Sequence, residues 1–118
     1  MDLVLKGRGV RITDHLREVA QHKLDKLGRL EPRATRMEVE IISEDFPTHD
    51  GTKTVEVALQ VPRHTFRARA QGSKVEDALD LTVARLERQL RDRRGRLRRR
   101  VLAGANRLKS ARIQGNSA

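Results

Sequence analysis

The side chains best able to do chemistry in this sequence are arginines, and they are concentrated in one short segment. Residues 85–100 contain nine arginines and only two acidic residues, Glu87 and Asp92, so the segment has a net charge of +7. Residues 1–84 are neutral, with 14 basic and 14 acidic side chains, and the remaining positive charge comes from Arg107, Lys109 and Arg112. Because one guanidinium group can donate to two phosphate oxygens at once, this segment indicates a polyanionic partner.

Two other partners compete with nucleic acid for the basic segment. Basic helices can lie on anionic lipid, but they usually bring Trp or Phe to the apolar face, whereas this segment has Leu and Val there. A coiled coil could use the apolar repeat, but Arg93 interrupts the seam. Nucleic acid is therefore favoured, and no membrane partner is expected. Phe46 and Phe66 are the only aromatic residues, so a structured backbone is favoured over stacked single-stranded bases.

Catalytic and metal sites have little support in the sequence. The four histidines show no i, i+4 pair, there is no cysteine, and Gly7-Arg8-Gly9 is too short for a phosphate-binding loop. A ribonuclease built from His64, Glu56 and an arginine stays open as an alternative, because such a site leaves no sequence motif. We expect no catalytic residue, no metal and no cofactor.

The hydrophobic pattern of the 118 residues predicts one domain with two helices and four strands. A strand over residues 2–6 precedes a helix that Thr13 caps and Pro32 limits. Alternation predicts strands around Val39, around Val57 and from Phe66 to Ala70, with a loop from Ser43 to Lys53.

The last helix is predicted to start at a capping box, Ser73-Lys74-Val75-Glu76. Its apolar stripe runs from Val75 to Leu97, and a helix reaching Arg100 must overhang a small sheet. The predicted fold class is α+β, β-α-β-β-β-α, a four-stranded mixed sheet with both helices on one face. We expect a domain over residues 1–100 and, over residues 101–118, a basic flexible tail or the start of a linker.

Several stretches resemble the ribosome hibernation factors, the family of the hibernation promoting factor and the ribosome-associated inhibitor. They are L-x-L-K-G-R-G-V-R-I-T-D-H-L-R at the start, K-L-D-K-L-G-R-L at the end of the first helix, and A-x-G-S-K-V-E-D-A-L-D-L-T-V-A-R-L-E-R-Q-L-R. The resemblance covers about residues 1–100.

The resemblance implies a non-enzymatic protein that binds the decoding region of the small ribosomal subunit. There it would contact rRNA, compete with mRNA and tRNA, and repress translation in idle, stationary-phase or stressed bacterial cells. A cytoplasmic location is expected separately, because the sequence has no cysteine and its first residues lack the pattern of a signal peptide. The family's basic helix residues correspond here to Lys23, Lys26, Arg29, Arg85, Arg88, Arg91 and Arg94.

Two features of the family are not matched. An aromatic residue often seen near the start of the second helix is absent, since Val75-Glu76-Asp77 precede Ala78. Long members also carry a further domain that pairs ribosomes, so we expect ribosome dimerisation only if such a domain follows. Besides the ribonuclease, a general module for structured RNA stays open as an alternative function.

Overall fold

The computed structural model describes the backbone of residues 1–43 and 51–116 and the side chains as far as residue 105. Four strands and two helices follow in the order β-α-β-β-β-α, which confirms the predicted fold class. They are β1 (Asp2–Arg8), α1 (Asp14–Leu30), β2 (Arg36–Ser43), β3 (Lys53–Val61), β4 (His64–Gly72) and α2 (Val75–Asn116). Within the described residues, no helix combines the length and apolar character needed to cross a bilayer.

The strands form one mixed sheet in the order β1-β2-β3-β4. β1 pairs with β2 in parallel, and the other neighbours are antiparallel. Ser43 and Lys53, the two ends of the predicted loop, pair with each other as the last residue of β2 and the first of β3. Most of the loop between them, residues 44–50 with Phe46 and His49, lies outside the described residues.

One face of the sheet carries the core. Val39 and Val57 are directly opposed across β2 and β3, and each is 1% exposed. Leu24 of α1 and Leu79 of α2 belong to the same cluster, so both helices cover this face, as the alternating strands predict. Each such side chain contributes about 1.5–3 kcal/mol by leaving water.

The helix starts follow from local hydrogen bonds. Thr13 Oγ1 accepts from the Leu16 amide at 3.1 Å, which confirms the predicted N-cap of α1. In α2 the Ala78 amide donates to the Lys74 carbonyl at 3.2 Å, so Lys74 occupies the N-cap position. The helix therefore begins one residue later than the capping box at Ser73 predicts.

Strand β1 continues to Arg8, two residues beyond the predicted end at Lys6, and Gly9 makes the exit. Gly9 has φ +69°, and a Cβ at this position would lie 2.5 Å from the Ser43 carbonyl oxygen. Glycine is needed here for both its backbone conformation and its small size.

The far half of α2 overhangs the sheet, as its length predicts. Leu90 is 6% exposed, but Leu97 is 43% exposed although it continues the apolar stripe. The reason is that α2 runs antiparallel to β4, whose first residue is His64, and no strand among the described residues lies beneath the helix after that point. The backbone stays helical to Asn116, past the predicted boundary at residue 100, so the division into a domain and a tail or linker stays a prediction.

Candidate nucleic-acid interface

The four predicted contact arginines of α2 do not share one side of the helix. They are spaced three residues apart, and at about 100° per residue each step turns back by about 60° around the axis. Arg85 therefore lies towards β4, and Arg94 lies towards the end of α1. Arg88 and Arg91 lie between them on the solvent-facing side of the helix.

The two outer arginines bind the protein's own backbone. Arg85 donates to the carbonyl of Arg69 in β4, and Arg94 donates to the carbonyl of Leu30 at the end of α1. The side-chain amide of Gln89 adds a bond to the Arg67 carbonyl at 2.8 Å. Because β4 is an edge strand of the described sheet, Arg85 and Gln89 satisfy β4 carbonyls on the side where that sheet has no further strand. Arg85 and Arg94 thus hold α2 against the sheet and α1.

Two of the three predicted α1 cations form ion pairs with α2. Lys23 Nζ lies 2.6 Å from Asp80 Oδ1, and Lys26 Nζ lies 3.1 Å from Glu87 Oε1. Glu87 also receives Arg91 at 3.5 Å, and its side chain is only 15% exposed. Glu31, which follows the last residue of α1, pairs with Arg33 at 3.4 Å and not with any of the three α1 cations.

Arg29 and Arg88 are the predicted contact residues whose charges stay available. Both are exposed, and neither has an ion pair or hydrogen bond to another described residue. The same holds for the exposed arginines of the α2 overhang, which are Arg96, Arg98, Arg99 and Arg100. Because no acidic residue follows Asp92 in the sequence, this part of the helix presents uncompensated positive charge.

Sequence reasoning placed Arg93 in the apolar seam of α2 but missed its contact with Phe66. Its guanidinium lies 5.3 Å from the centroid of the Phe66 ring, and it is only partly exposed. Arg93 follows Leu90 by three residues and Leu86 by seven, a spacing that places it on the core-facing side of α2 and could have predicted this contact.

The residues of the ribonuclease alternative do not converge. His64 has the same strand parity as buried Phe66 and so belongs to the helix-covered side, whereas Glu56 pairs with Arg69 at 3.1 Å on the opposite side. Within the described residues no group of His, Cys, Asp and Glu could hold a metal ion.

Comparison with known proteins gives a family and a fold. The model of the family described as Sigma 54 modulation protein / S30EA ribosomal protein matches residues 3–98. The ribosome hibernation promotion factor of Deinococcus radiodurans is 34% identical over 87 residues, which cover 74% of this chain and 46% of that protein. The chain therefore spans about half the length of this curated relative.

Two solved structures are similar in fold. A ribosomal subunit interface protein from Coxiella burnetii is 23% identical, with a TM-score of 0.71 over 80% of this chain and 99% of that chain. The N-terminal domain of Protein Y from Thermus thermophilus is 25% identical, with a TM-score of 0.66 over 76% of this chain and 96% of that chain.

Proposed function

We propose that this chain is a ribosome hibernation factor, because it belongs to the Sigma 54 modulation protein / S30EA ribosomal protein family. In this role it binds the decoding region of the small subunit, occupies space that mRNA and tRNA need, and represses translation in idle cells. Its place of action is then the cytoplasm. The single observation that carries the proposal is the family match over residues 3–98, and the curated hibernation factor among its relatives supports it.

The charge distribution supports contacts to the rRNA backbone. Arg29 on α1 and Arg88 on α2 are exposed and lack partners within the described residues, so their guanidinium groups can bind phosphates without breaking internal contacts. Lys23, Lys26 and Arg91 can reach RNA only in competition with Asp80 and Glu87. Arg85 and Arg94 contribute positive potential while they hold the helix in place. We propose Arg29 and Arg88 as the principal rRNA contacts among the seven predicted residues.

This arrangement accounts for inhibition by occupancy rather than by chemistry. The helices present a charged surface to RNA, and the sheet behind them supplies rigid bulk. A protein of this kind leaves rRNA intact, whereas a ribonuclease would create new RNA ends. A general module for structured RNA would bind naked duplex as tightly as it binds intact subunits.

The test is charge reversal at the available cations. In the variant carrying Arg29→Glu and Arg88→Glu, we expect small-subunit affinity to fall by at least about tenfold, because two phosphate contacts become repulsions. Thermal unfolding should not change, since neither side chain makes a polar contact with another residue in the described part of the chain. The matched control carries Arg17→Glu and Lys74→Glu, two exposed cations outside the proposed contacts. Co-sedimentation with subunits measures both variants, and equal binding by the two would contradict the proposal.

A further inference from the structure

A basic cleft lies where α2 leaves the sheet, beside the turn between β3 and β4. We call it the hairpin cleft, and its lining is His64, Phe66, Gln89, Arg93, Arg96, Leu97 and Arg100. None of the described residues that line it carries a carboxylate. None of its residues is among the seven that the family resemblance predicts as rRNA contacts.

The inner wall of the hairpin cleft consists of the Phe66 and His64 rings and the Arg93 guanidinium group. Phe66 is 4% exposed, so its ring is part of the core rather than a platform for a base. The His64 ring meets it edge to face, with centroids 4.5 Å apart and planes at 73°, and Arg93 lies over the ring at 5.3 Å. An incoming ligand therefore meets the polar edges of His64 and Arg93, which favours an anion.

The outer rim is a line of cations along α2. Arg96 and Arg100 follow Arg93 by three and seven residues, so the three lie within about 60° of one another around the helix and span about 10 Å along it. Arg96 and Arg100 are exposed and have no ion pair within the described residues. Like charges at this spacing repel one another, and a bound polyanion removes that repulsion.

The turn beside the cleft contains an arginine in a conformation that favours glycine. Pro62 and Arg63 join β3 to β4, because Val61 pairs with His64, and Arg63 has φ +68°. A two-residue turn with proline first and positive φ second is usually completed by Gly or Asn. An exposed arginine that bears this strain indicates use of its side chain, and it stands next to His64 at the cleft.

We propose that the hairpin cleft binds consecutive RNA backbone phosphates, with Arg96 and Arg100 on the helix and Arg63 on the turn as the contacting side chains. This inference rests on the proposed function in taking rRNA as the source of the phosphates. It adds a second contact region to the one at Arg29 and Arg88. Phosphodiester is favoured over a base stacked on Phe66, because that ring is buried and Arg93 lies over it.

The first test removes the rim charges. The full chain with Arg96→Ala and Arg100→Ala should bind a short RNA duplex about tenfold more weakly, and its log-log salt slope should fall by about two. The control with Arg17→Ala and Lys74→Ala loses the same net charge elsewhere and should keep the wild-type slope. An equal loss in both variants would show an effect of net charge only and would overturn the proposal.

The second test separates strain from binding at Arg63. Arg63→Gly should leave the unfolding midpoint unchanged or raise it, because glycine accepts positive φ without strain. The same variant should bind the duplex more weakly. Wild-type affinity would overturn the assignment of Arg63.

Small-subunit co-sedimentation keeps this inference distinct from the proposed function. If wild-type protein fails to bind subunits, the proposed function is wrong, and the duplex titration still decides the cleft. If the Arg96 and Arg100 variant loses subunit binding but keeps duplex binding, the cleft contacts an acidic protein surface, and the phosphate proposal is wrong.

Discussion

Glu87 links the stability of the fold to the charge available for RNA, and Glu87→Gln should change the two in opposite directions. Its carboxylate lies 3.1 Å from Lys26 and 3.5 Å from Arg91, while those partners are 59% and 70% exposed. Pairs with such exposed partners contribute roughly 0.5 kcal/mol each, so the variant should lose about 1 kcal/mol. For a domain of this size the melting temperature then falls by about 4 °C.

The same substitution should strengthen RNA binding. It frees Lys26 and Arg91 and removes a negative charge from the surface between the helices. A carboxylate about 6 Å from a phosphate, at an effective dielectric between 20 and 80 and with salt screening, repels it by about 1 kcal/mol. We therefore expect roughly fivefold tighter binding and a log-log salt slope steeper by up to about two.

The assay is RNA-duplex titration at several salt concentrations, with thermal denaturation followed by circular dichroism. The matched control is Glu38→Gln, which removes a carboxylate paired with Arg36 at 2.9 Å on the sheet face away from the helices. It should lose about 0.5 kcal/mol, because it removes one such pair, and it should not gain affinity. Weaker binding by Glu87→Gln, or an equal gain in the control, would refute the reasoning.

Three further predictions concern the stability of the fold, and the first also compares a structural arginine with a binding one. Arg85→Met should lower the free energy of unfolding by about 1 kcal/mol, because it loses the hydrogen bond to the Arg69 carbonyl of β4. Arg88→Met should instead weaken RNA binding and leave the free energy of unfolding unchanged. Thermal denaturation and RNA titration of both variants measure the two quantities. Leu86→Ala should cost about 3 kcal/mol in a denaturant titration, since the side chain is fully buried, and a loss below about 1 kcal/mol would mean that the core adapts. Gly9→Ala should cost more than about 1 kcal/mol in the same titration, because its Cβ meets the Ser43 carbonyl; wild-type stability would show that the exit can shift.

Much of the fold was predictable because its signals are local. The alternation through Val39 and Val57 identifies strands with one buried face, and Thr13 marks the start of α1 by a bond within one turn. The exposure of Leu97 was not predictable from its place on the stripe, because it depends on where β4 begins.

The candidate site was predictable in its charge and not in its contacts. The arginines of α2 are evident from composition. Which of them form internal contacts and which keep their charge free for a ligand is not evident from it. Lys26 meets Glu87 across 61 positions of sequence, and Arg94 reaches Leu30 across 64. Such pairs depend on how the helices pack side by side, which periodicity within one helix does not specify.

We propose that the protein occupies the space of mRNA and tRNA on the small ribosomal subunit. The most direct measurement is co-sedimentation of the full chain with small subunits, with and without saturating mRNA and tRNA. The account predicts binding to empty subunits and release when mRNA and tRNA are present. Equal binding under both conditions would contradict it.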